Sequence, residues 1–365
     1  MKGGALTYRP RIDGLRFIAI GLVFLEHFGY RPKWFIAGYY GVDLFFVISG
    51  FLITSILLKD NKSSFLQNYR TFMGRRILRI FPIYYLTVAL FWAINLSPAR
   101  DHILWLVTYT YNYAWIIYED TTKINYLGYL WSLSVEEQFY FLWPIIALTL
   151  RRSKLVLFSV TAIVVAVSYA QLAYDIVPAM TRFNYTGLFN RMGSLGFGAL
   201  GAIYVSWKSL PARFFCSRMT EIAVLLVLAV ALVCSFRLRF VMLGMCSLFL
   251  VLKASQFQFQ VRPIDWLLQH HWVVYVGSIS YGLYLFHQPL GHFITKYLFD
   301  PMWRSIPFEQ FGVFAKFRWH SWIVKFPLYS LASVAVAWAS YRWIESPILS
   351  LKDRWFGYRN YRKGS

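Results

Sequence analysis

The stretch Asp13-Gly14-Leu15-Arg16-Phe17-Ile18-Ala19-Ile20-Gly21-Leu22-Val23-Phe24-Leu25-Glu26-His27 is apolar apart from Asp13, Arg16, Glu26 and His27. Read as a helix at about 100° per residue, Arg16 and His27 are separated by three turns plus roughly 20° and share one face. They then lie about 16 Å apart along the axis, roughly half the thickness of a bilayer core. Ionisable groups at such depth are costly and face a cavity or a polar partner. The plain reading is an arginine marking the membrane surface and a histidine hydrogen-bonded inside a bundle. The functional reading is a basic imidazole in a protein-lined, partly dry site.

Around this stretch the chain is strongly apolar. Of its 365 residues 58% are hydrophobic and only 15% charged, against about 25% charged in soluble domains. Long apolar runs recur to the C-terminus, which makes this a polytopic membrane protein. No polar block is long enough for a separate soluble domain, so residues 1–365 are expected to form a single membrane domain with nothing appended. The net charge of +21 would suit nucleic acid, but the basic residues sit in short loops between apolar runs, as membrane topology requires, and no nucleic-acid partner is expected. Cys216, Cys234 and Cys246 lie in or beside apolar segments without metal-ligand spacing, and no metal is expected. The basic N-terminus followed by an apolar run resembles a signal peptide, yet no small-x-small cleavage site follows, so an uncleaved first spanning helix is expected.

Apolar stretches near 15–30, 38–58, 77–97, 131–150, 155–175, 187–207, 220–236, 240–253, 272–295 and 322–345 read as spanning helices. The run 102–118 is shorter and carries Thr108, Thr110, Asn112 and several tyrosines. If it crossed the membrane, Arg151, Arg152 and Lys154 would fall outside. If it is re-entrant or interfacial, that cluster lies inside with Lys208, Arg213, Arg218 and the basic tail, including Lys352, Arg354, Arg359, Arg362 and Lys363. The expected fold is therefore an all-α membrane bundle of about ten spanning helices plus one re-entrant segment, with both termini cytoplasmic.

On that topology His27, Asp43, Glu136 and Glu137 fall at similar depth in the outer half. A neutral imidazole can take a proton from an attacking hydroxyl when a neighbour orients its other nitrogen. Asp43 is the first candidate for that neighbour and Glu136 the next, although an acidic residue at a helix start needs no such role. Glu136 and Glu137 differ by about 100° and cannot share a face; Glu136 is expected to face the site. Arg75, Arg76 and Arg79 precede an apolar run at the inner surface, where Arg76 and Arg79 could grip a polyphosphate or simply meet lipid headgroups. Ser49-Gly50 interrupts the second helix, and close helix packing explains the glycine best. His287 lies just before Pro289 in a spanning run and could line the site. Trp303, Trp319 and His320, in the 296–321 outer loop, are candidates for contacts to a sugar acceptor.

Taken together these stretches resemble the acyltransferase 3 family of bacterial membrane O-acyltransferases. The resemblance rests on Arg16 and His27 with ten residues between them, on Gly41-Val42-Asp43-Leu44-Phe45-Phe46-Val47-Ile48-Ser49-Gly50-Phe51, and on Arg76-x-x-Arg79. It continues in Trp131-Ser132-Leu133-Ser134-Val135-Glu136-Glu137-Gln138-Phe139-Tyr140, Ser280 to Pro289, and Glu345-Ser346-Pro347. It implies transfer of an acyl group, typically acetyl, from cytoplasmic acyl-CoA to a hydroxyl of a cell-surface polysaccharide or lipid-linked glycan such as O-antigen or exopolysaccharide, in the bacterial inner membrane. The implied catalytic pair is Arg16 and His27, with Asp43 and Glu136 assisting. Arg75, Arg76 and Arg79 would hold the donor, and His287, Glu137 and Ser49 would touch substrate. A glycolipid transporter or flippase would also explain buried ionisable groups, but no internal repeat with paired broken helices is visible.

Overall fold

The computed structural model describes residues 9–29, 37–59, 63–96, 98–117, 127–174, 186–233, 238–308, 310 and 320–356. Cys234, Trp319 and the tail residues Arg359, Arg362 and Lys363 lie outside them. The described residues are helical throughout, without strands. In chain order the helices are α1 (Pro10–Phe28), α2 (Ala37–Leu57), α3 (Phe65–Ala93), α4 (Ile103–Val107), α5 (Tyr111–Ile117), α6 (Leu130–Leu150), α7 (Lys154–Tyr174) and α8 (Leu188–Trp207). There follow the one-turn helix Ala212–Phe215, α9 (Arg218–Val233), α10 (Arg239–Gln256), α11 (Arg262–Gln269), α12 (His271–Ser278), α13 (Ser280–Ile294), α14 (Asp300–Ser305), α15 (Trp322–Ser340) and α16 (Ser346–Phe356). One π-helical turn, Thr295–Phe299, joins α13 to α14, and another, Tyr341–Glu345, joins α15 to α16.

Among the described residues, five helical segments are long and apolar enough to cross a membrane: Ala37–Leu57, Phe65–Ala93, Lys154–Tyr174, Arg239–Gln256 and Trp322–Phe356. Helix α1 is not among them because it carries Arg11, Asp13, Arg16 and Glu26, and each such group in an apolar setting needs a partner. The outward faces of α7 and α9 expose Leu155, Ile163, Val167, Leu226 and Val230, an apolar perimeter suited to lipid rather than water.

Helix α2 is the hub. It packs on α1, α6, α8 and α10, and its face toward α8 has no room for side chains. A Cβ at Gly50 would overlap the Leu195 carbonyl oxygen, and one at Gly198 would overlap that of Val47. The two backbones touch because both residues lack a side chain. Ser49-Gly50 therefore does not interrupt α2; the helix runs through it and the glycine admits α8.

Side-chain pairs fix the helix directions. Phe46 meets Trp131 and Trp143 Nε1 donates to Thr54 Oγ1 at 2.8 Å, so α2 and α6 run parallel. Asp43 meets Arg191 while Gly50 meets Leu195 and Ala199, so α8 is parallel to them too. The 103–117 segment holds only α4 and α5, which rise about 8 and 10 Å, each too short to cross a bilayer core. It is pinned at its tip: Tyr84 Oη donates to Leu106 O at 2.9 Å, Tyr85 Oη to Val107 O at 2.8 Å, and Gln138 Nε2 to Tyr109 O at 2.7 Å. Tyr109 itself holds φ at 54° and stacks on Tyr84 with ring centres 4.2 Å apart. The left-handed backbone of a bulky residue is strained, and the stack and the capped carbonyls hold it there.

Two sequence boundaries are corrected. Helix α3 starts at Phe65 rather than near 77, capped by Ser64, whose hydroxyl accepts from Gln67 N at 3.3 Å. Its first turns are too polar for an apolar-run reading and largely exposed, and α16 docks at their end, where Phe356 lies on Gly74. The 272–295 helix is broken by a turn at Ile279 into α12 and α13. Gly198→Val tests the α2–α8 contact: overpacking costs about 1–3 kcal/mol or more, and the expected result is a lower thermal unfolding midpoint in detergent, whereas an unchanged midpoint refutes the contact.

Candidate functional site

The cavity of the bundle is built by α1, α2, α3, α6 and α13 and holds about 80 Å³, room for several waters in a polar site. Arg16 comes from α1, Arg76 and Arg79 from α3, Ser49 from α2, and Glu136 and Tyr140 from α6. The arginines meet because α3 is already helical at Phe65, which puts Arg76 and Arg79 on one inward face, three residues apart. Arg79 keeps much of its surface accessible because it faces this space. Arg16 Nη1 pairs with Asp13 Oδ1 at 2.9 Å. The Arg76 guanidinium lies 4.3 Å from the centre of the Tyr140 ring, a cation–π contact. Neither Arg76 nor Arg79 has a carboxylate within ion-pair distance among the described residues.

Glu136 is the carboxylate on the cavity wall, and it accepts hydrogen bonds from both Ser49 Oγ and Tyr140 Oη. Glu137 faces away from it, as the helical step requires, toward the tyrosines of α3 and the tip of the 103–117 segment. Arg75 does not reach the cavity: its Nη1 donates to Phe356 O at 2.8 Å, so it docks α16 and the third arginine of the cavity is Arg16.

His27 sits at the opposite end of α1, and Asp43 is not its partner. Asp43 Oδ1 takes Arg191 Nη1 at 3.1 Å and Ser194 Oγ at 2.9 Å, fully buried between α2 and α8. Asp43 lies on the face of α2 turned to α8, and since Gly38 meets Glu26 and Gly41 meets Ala19 and Val23, it sits nearer the start of α1 than His27 does. The group beside His27 is His287: its Nε2 lies 3.0 Å from His27 Nδ1, and its Nδ1 lies 2.7 Å from Tyr284 O. A carbonyl only accepts, so His287 Nδ1 carries a proton. His287 is buried and touches no carboxylate among the described residues, which favours its neutral form, with Nε2 as acceptor. His27 Nδ1 must then be the donor, and the His27 lone pair falls on Nε2, the nitrogen a general base needs. This tautomer is assigned from the hydrogen-bond chain.

The aromatic walls of the pair are Phe24 and Tyr129, with ring centres 5.4 and 5.0 Å from that of His287. Tyr129 Oη donates to Leu285 O at 2.6 Å, and Ser132 and Tyr284 hydroxyls bond at 2.6 Å, so the start of α6 clasps α13. Tyr284 and Phe45 close the cavity one side chain short of His27, with Tyr284 also 5.4 Å from His287 between ring centres. His27 and the arginines thus share one axis and are separated by this aromatic layer. Trp303 and His320 lie outside this cavity. Arg191, Ser194 and Tyr140 were missed; an arginine inside the apolar run 187–207 was the available signal for the first.

An all-helical, largely apolar bundle with an arginine-lined internal cavity and a histidine pair at its far end is a membrane-protein architecture with a polar reaction or passage site. The chain belongs to the acyltransferase-domain family, whose model matches residues 9–342. It is 28% identical to "Peptidoglycan O-acetyltransferase OatA" of Listeria monocytogenes over an alignment covering 98% of this chain and 57% of that protein. It is 29% identical to "Putative peptidoglycan O-acetyltransferase YrhL" of Bacillus subtilis, covering 96% of this chain and 56% of that one. The chain spans about half the length of the curated relatives it matches. No solved structure matches it.

The pairing of Asp43 with Arg191 makes a sharp prediction. Asp43→Ala removes the carboxylate that pairs with the buried Arg191 guanidinium and is expected to cost roughly 3–5 kcal/mol. Asp43→Leu combined with Arg191→Leu is expected to regain most of it in thermal unfolding. If the double variant is no more stable than Asp43→Ala, the pair is not the structural pin described here.

Proposed function

We propose that this chain is a membrane O-acyltransferase, most simply an O-acetyltransferase, that moves an acyl group from acyl-CoA to a hydroxyl of a cell-envelope polysaccharide. The supporting observation is the arrangement along one axis: Arg16, Arg76 and Arg79 around a cavity whose far end abuts the His27–His287 pair. In this reading about ten helices span the bacterial cytoplasmic membrane, α12 and α13 forming one span together and both termini facing the cytoplasm. The arginine end then faces the cytoplasm, where the phosphates of acyl-CoA meet the guanidiniums. The acceptor arrives from the His27 end. The relatives named for peptidoglycan O-acetylation support an envelope glycan as acceptor.

The step balances simply. The acceptor hydroxyl oxygen attacks the thioester carbonyl carbon while His27 Nε2 takes its proton. The carbon–sulfur bond breaks, the ester forms, and the thiolate recovers that proton from His27 to leave as the free thiol. His287 is a positioning residue that fixes the ring and tautomer of His27, the role first given to Asp43. Tyr284 or Phe45 must turn aside for the acyl end of the donor to reach His27. Glu136 organises Ser49 and Tyr140 beside the arginines, and Tyr140 in turn seats Arg76.

With purified protein, acetyl-CoA and envelope polysaccharide, His27→Ala is expected to reduce release of the free thiol by a factor of 10² or more while the protein remains folded. Undiminished release rejects His27 as the base. Arg76→Ala with Arg79→Ala is expected to raise the donor Kd at least tenfold with acceptor binding unaltered; the reverse pattern removes the arginines from the donor site. Mass spectrometry of surface polysaccharide from cells with and without the protein identifies the acylated sugar.

A further inference from the structure

Beyond the His27 end of α13 lies a second cavity, an open basin of about 500 Å³ lined by His292, Thr295, Lys296, Asp300, Pro301 and Arg304. We propose that this basin binds an acidic group, a carboxylate or phosphate, carried by the acceptor polysaccharide, and so selects acidic over neutral glycans. The proposal rests on the acyltransferase reading and adds the substrate class to it.

The charges favour an anion. The lone carboxylate of the basin, Asp300, is held by Lys325, whose Nζ lies 3.3 Å from Oδ1 and 4.8 Å from the centre of the Phe299 ring. Lys296 and Arg304 are both exposed and have no carboxylate partner among the described residues. On the proposed topology this end faces outward, where Lys and Arg are disfavoured, so cations gathered there call for a ligand. The backbone supports the placement. The π-helical turn Thr295–Phe299 re-aims the chain after α13 and brings Lys296 and Arg304 to one rim; such insertions recur at functional sites.

The basin is joined to the reaction site. Phe28, next to His27, packs edge-on against Tyr329 at 5.1 Å between ring centres, and the Tyr329 hydroxyl bonds Thr295 Oγ1 at 2.7 Å. Thr295 is eight residues beyond His287, about 12 Å along the helix, a span of one or two sugar rings. A glycan whose hydroxyl reaches His27 would therefore lay its own or its neighbour's acidic substituent in the basin. The lining favours a sugar over a phospholipid: it is polar, with Pro301 its one purely apolar side chain. Trp303, stacked between Phe299 and Phe308 at 5.1 and 4.8 Å, stands beside it as a reporter.

The test uses the full chain in nanodiscs of zwitterionic lipid, with two probes that differ by one carboxylate: the disaccharide of N-acetylglucosamine and N-acetylmuramic acid, and chitobiose. Binding is read by tryptophan fluorescence and by calorimetry. The acidic disaccharide is expected to bind at least about tenfold more tightly, the equivalent of one good charge-assisted contact. Lys296→Ala with Arg304→Ala is expected to erase that preference while leaving chitobiose and acetyl-CoA binding unchanged, which also shows that the variant is folded. Equal affinities, binding of neither probe, or a preference that survives the double variant overturns the proposal. If phosphatidylglycerol in the nanodisc abolishes the preference, the basin belongs to lipid headgroups and the proposal also falls. Thiol release from acetyl-CoA, measured in parallel, separates the two readings. A preference without His27-dependent release sinks the transferase and spares the basin, and release without a preference does the opposite.

Discussion

The buried pair of Asp43 and Arg191 is the interaction on which the bundle turns. A lone carboxylate or guanidinium at this depth is prohibitively costly, so α2 and α8 can associate in one register only, the one that brings the two together 3.1 Å apart. The side-chain-free crossing of Gly50 and Gly198 then brings the backbones into contact. With α2 so fixed, its other faces present Ser49 to Glu136 and Phe45 to Tyr284. Glu221 and Lys253 do the same for α9 and α10, with Nζ to Oε2 at 2.6 Å and both groups buried. Within each pair the two charges offset one another inside the bundle.

The cavity obeys a different rule. Arg16 has Asp13, and Glu136 is engaged by two hydroxyls, but Arg76 and Arg79 keep positive charge facing open space. Arg76 is seated on the Tyr140 ring, which orients it without neutralising it. A cation that faces an internal cavity without a carboxylate in direct contact is open to water or to an anionic ligand. The contrast between buried pairs and open cations separates structural from functional ionisable groups here better than their depth does.

The all-helical fold and the ionisable residues within apolar runs were legible, because apolar runs and out-of-place charges are local signals. The inward step from Glu136 to Glu137 was likewise legible from helical geometry alone. What could not be read was which face meets which neighbour. Asp43 is turned toward α8 rather than toward His27, and nothing local to 37–57 names Arg191 as its partner. His287 was seen as a histidine in a span but not as the partner of His27, since the two are 260 residues apart and meet only through the fold. The early start of α3 was hidden because its first turns are polar, and the α16 contact at Gly74 and Arg75 comes from the far end of the chain.

A histidine rather than a carboxylate behind the base has a chemical consequence. In the familiar triad a buried carboxylate both orients the imidazole and stabilises the imidazolium once it forms. Neutral His287 can do the first through Nε2 but supplies little of the second, because it brings no negative charge and already donates its own proton to Tyr284 O. On the proposed mechanism His27 would therefore hold its extra proton only briefly. That suits thioester chemistry: the leaving thiolate belongs to a thiol of pKa about 8.5, stable enough to depart before protonation and basic enough to reclaim the proton from His27. A base of this kind needs an activated acyl donor, and it would serve poorly for attack on an amide or ester, whose leaving groups demand a proton in hand. On that mechanism the neutral partner of His27 favours a thioester as donor, by an argument independent of the arginines at the other end of the cavity.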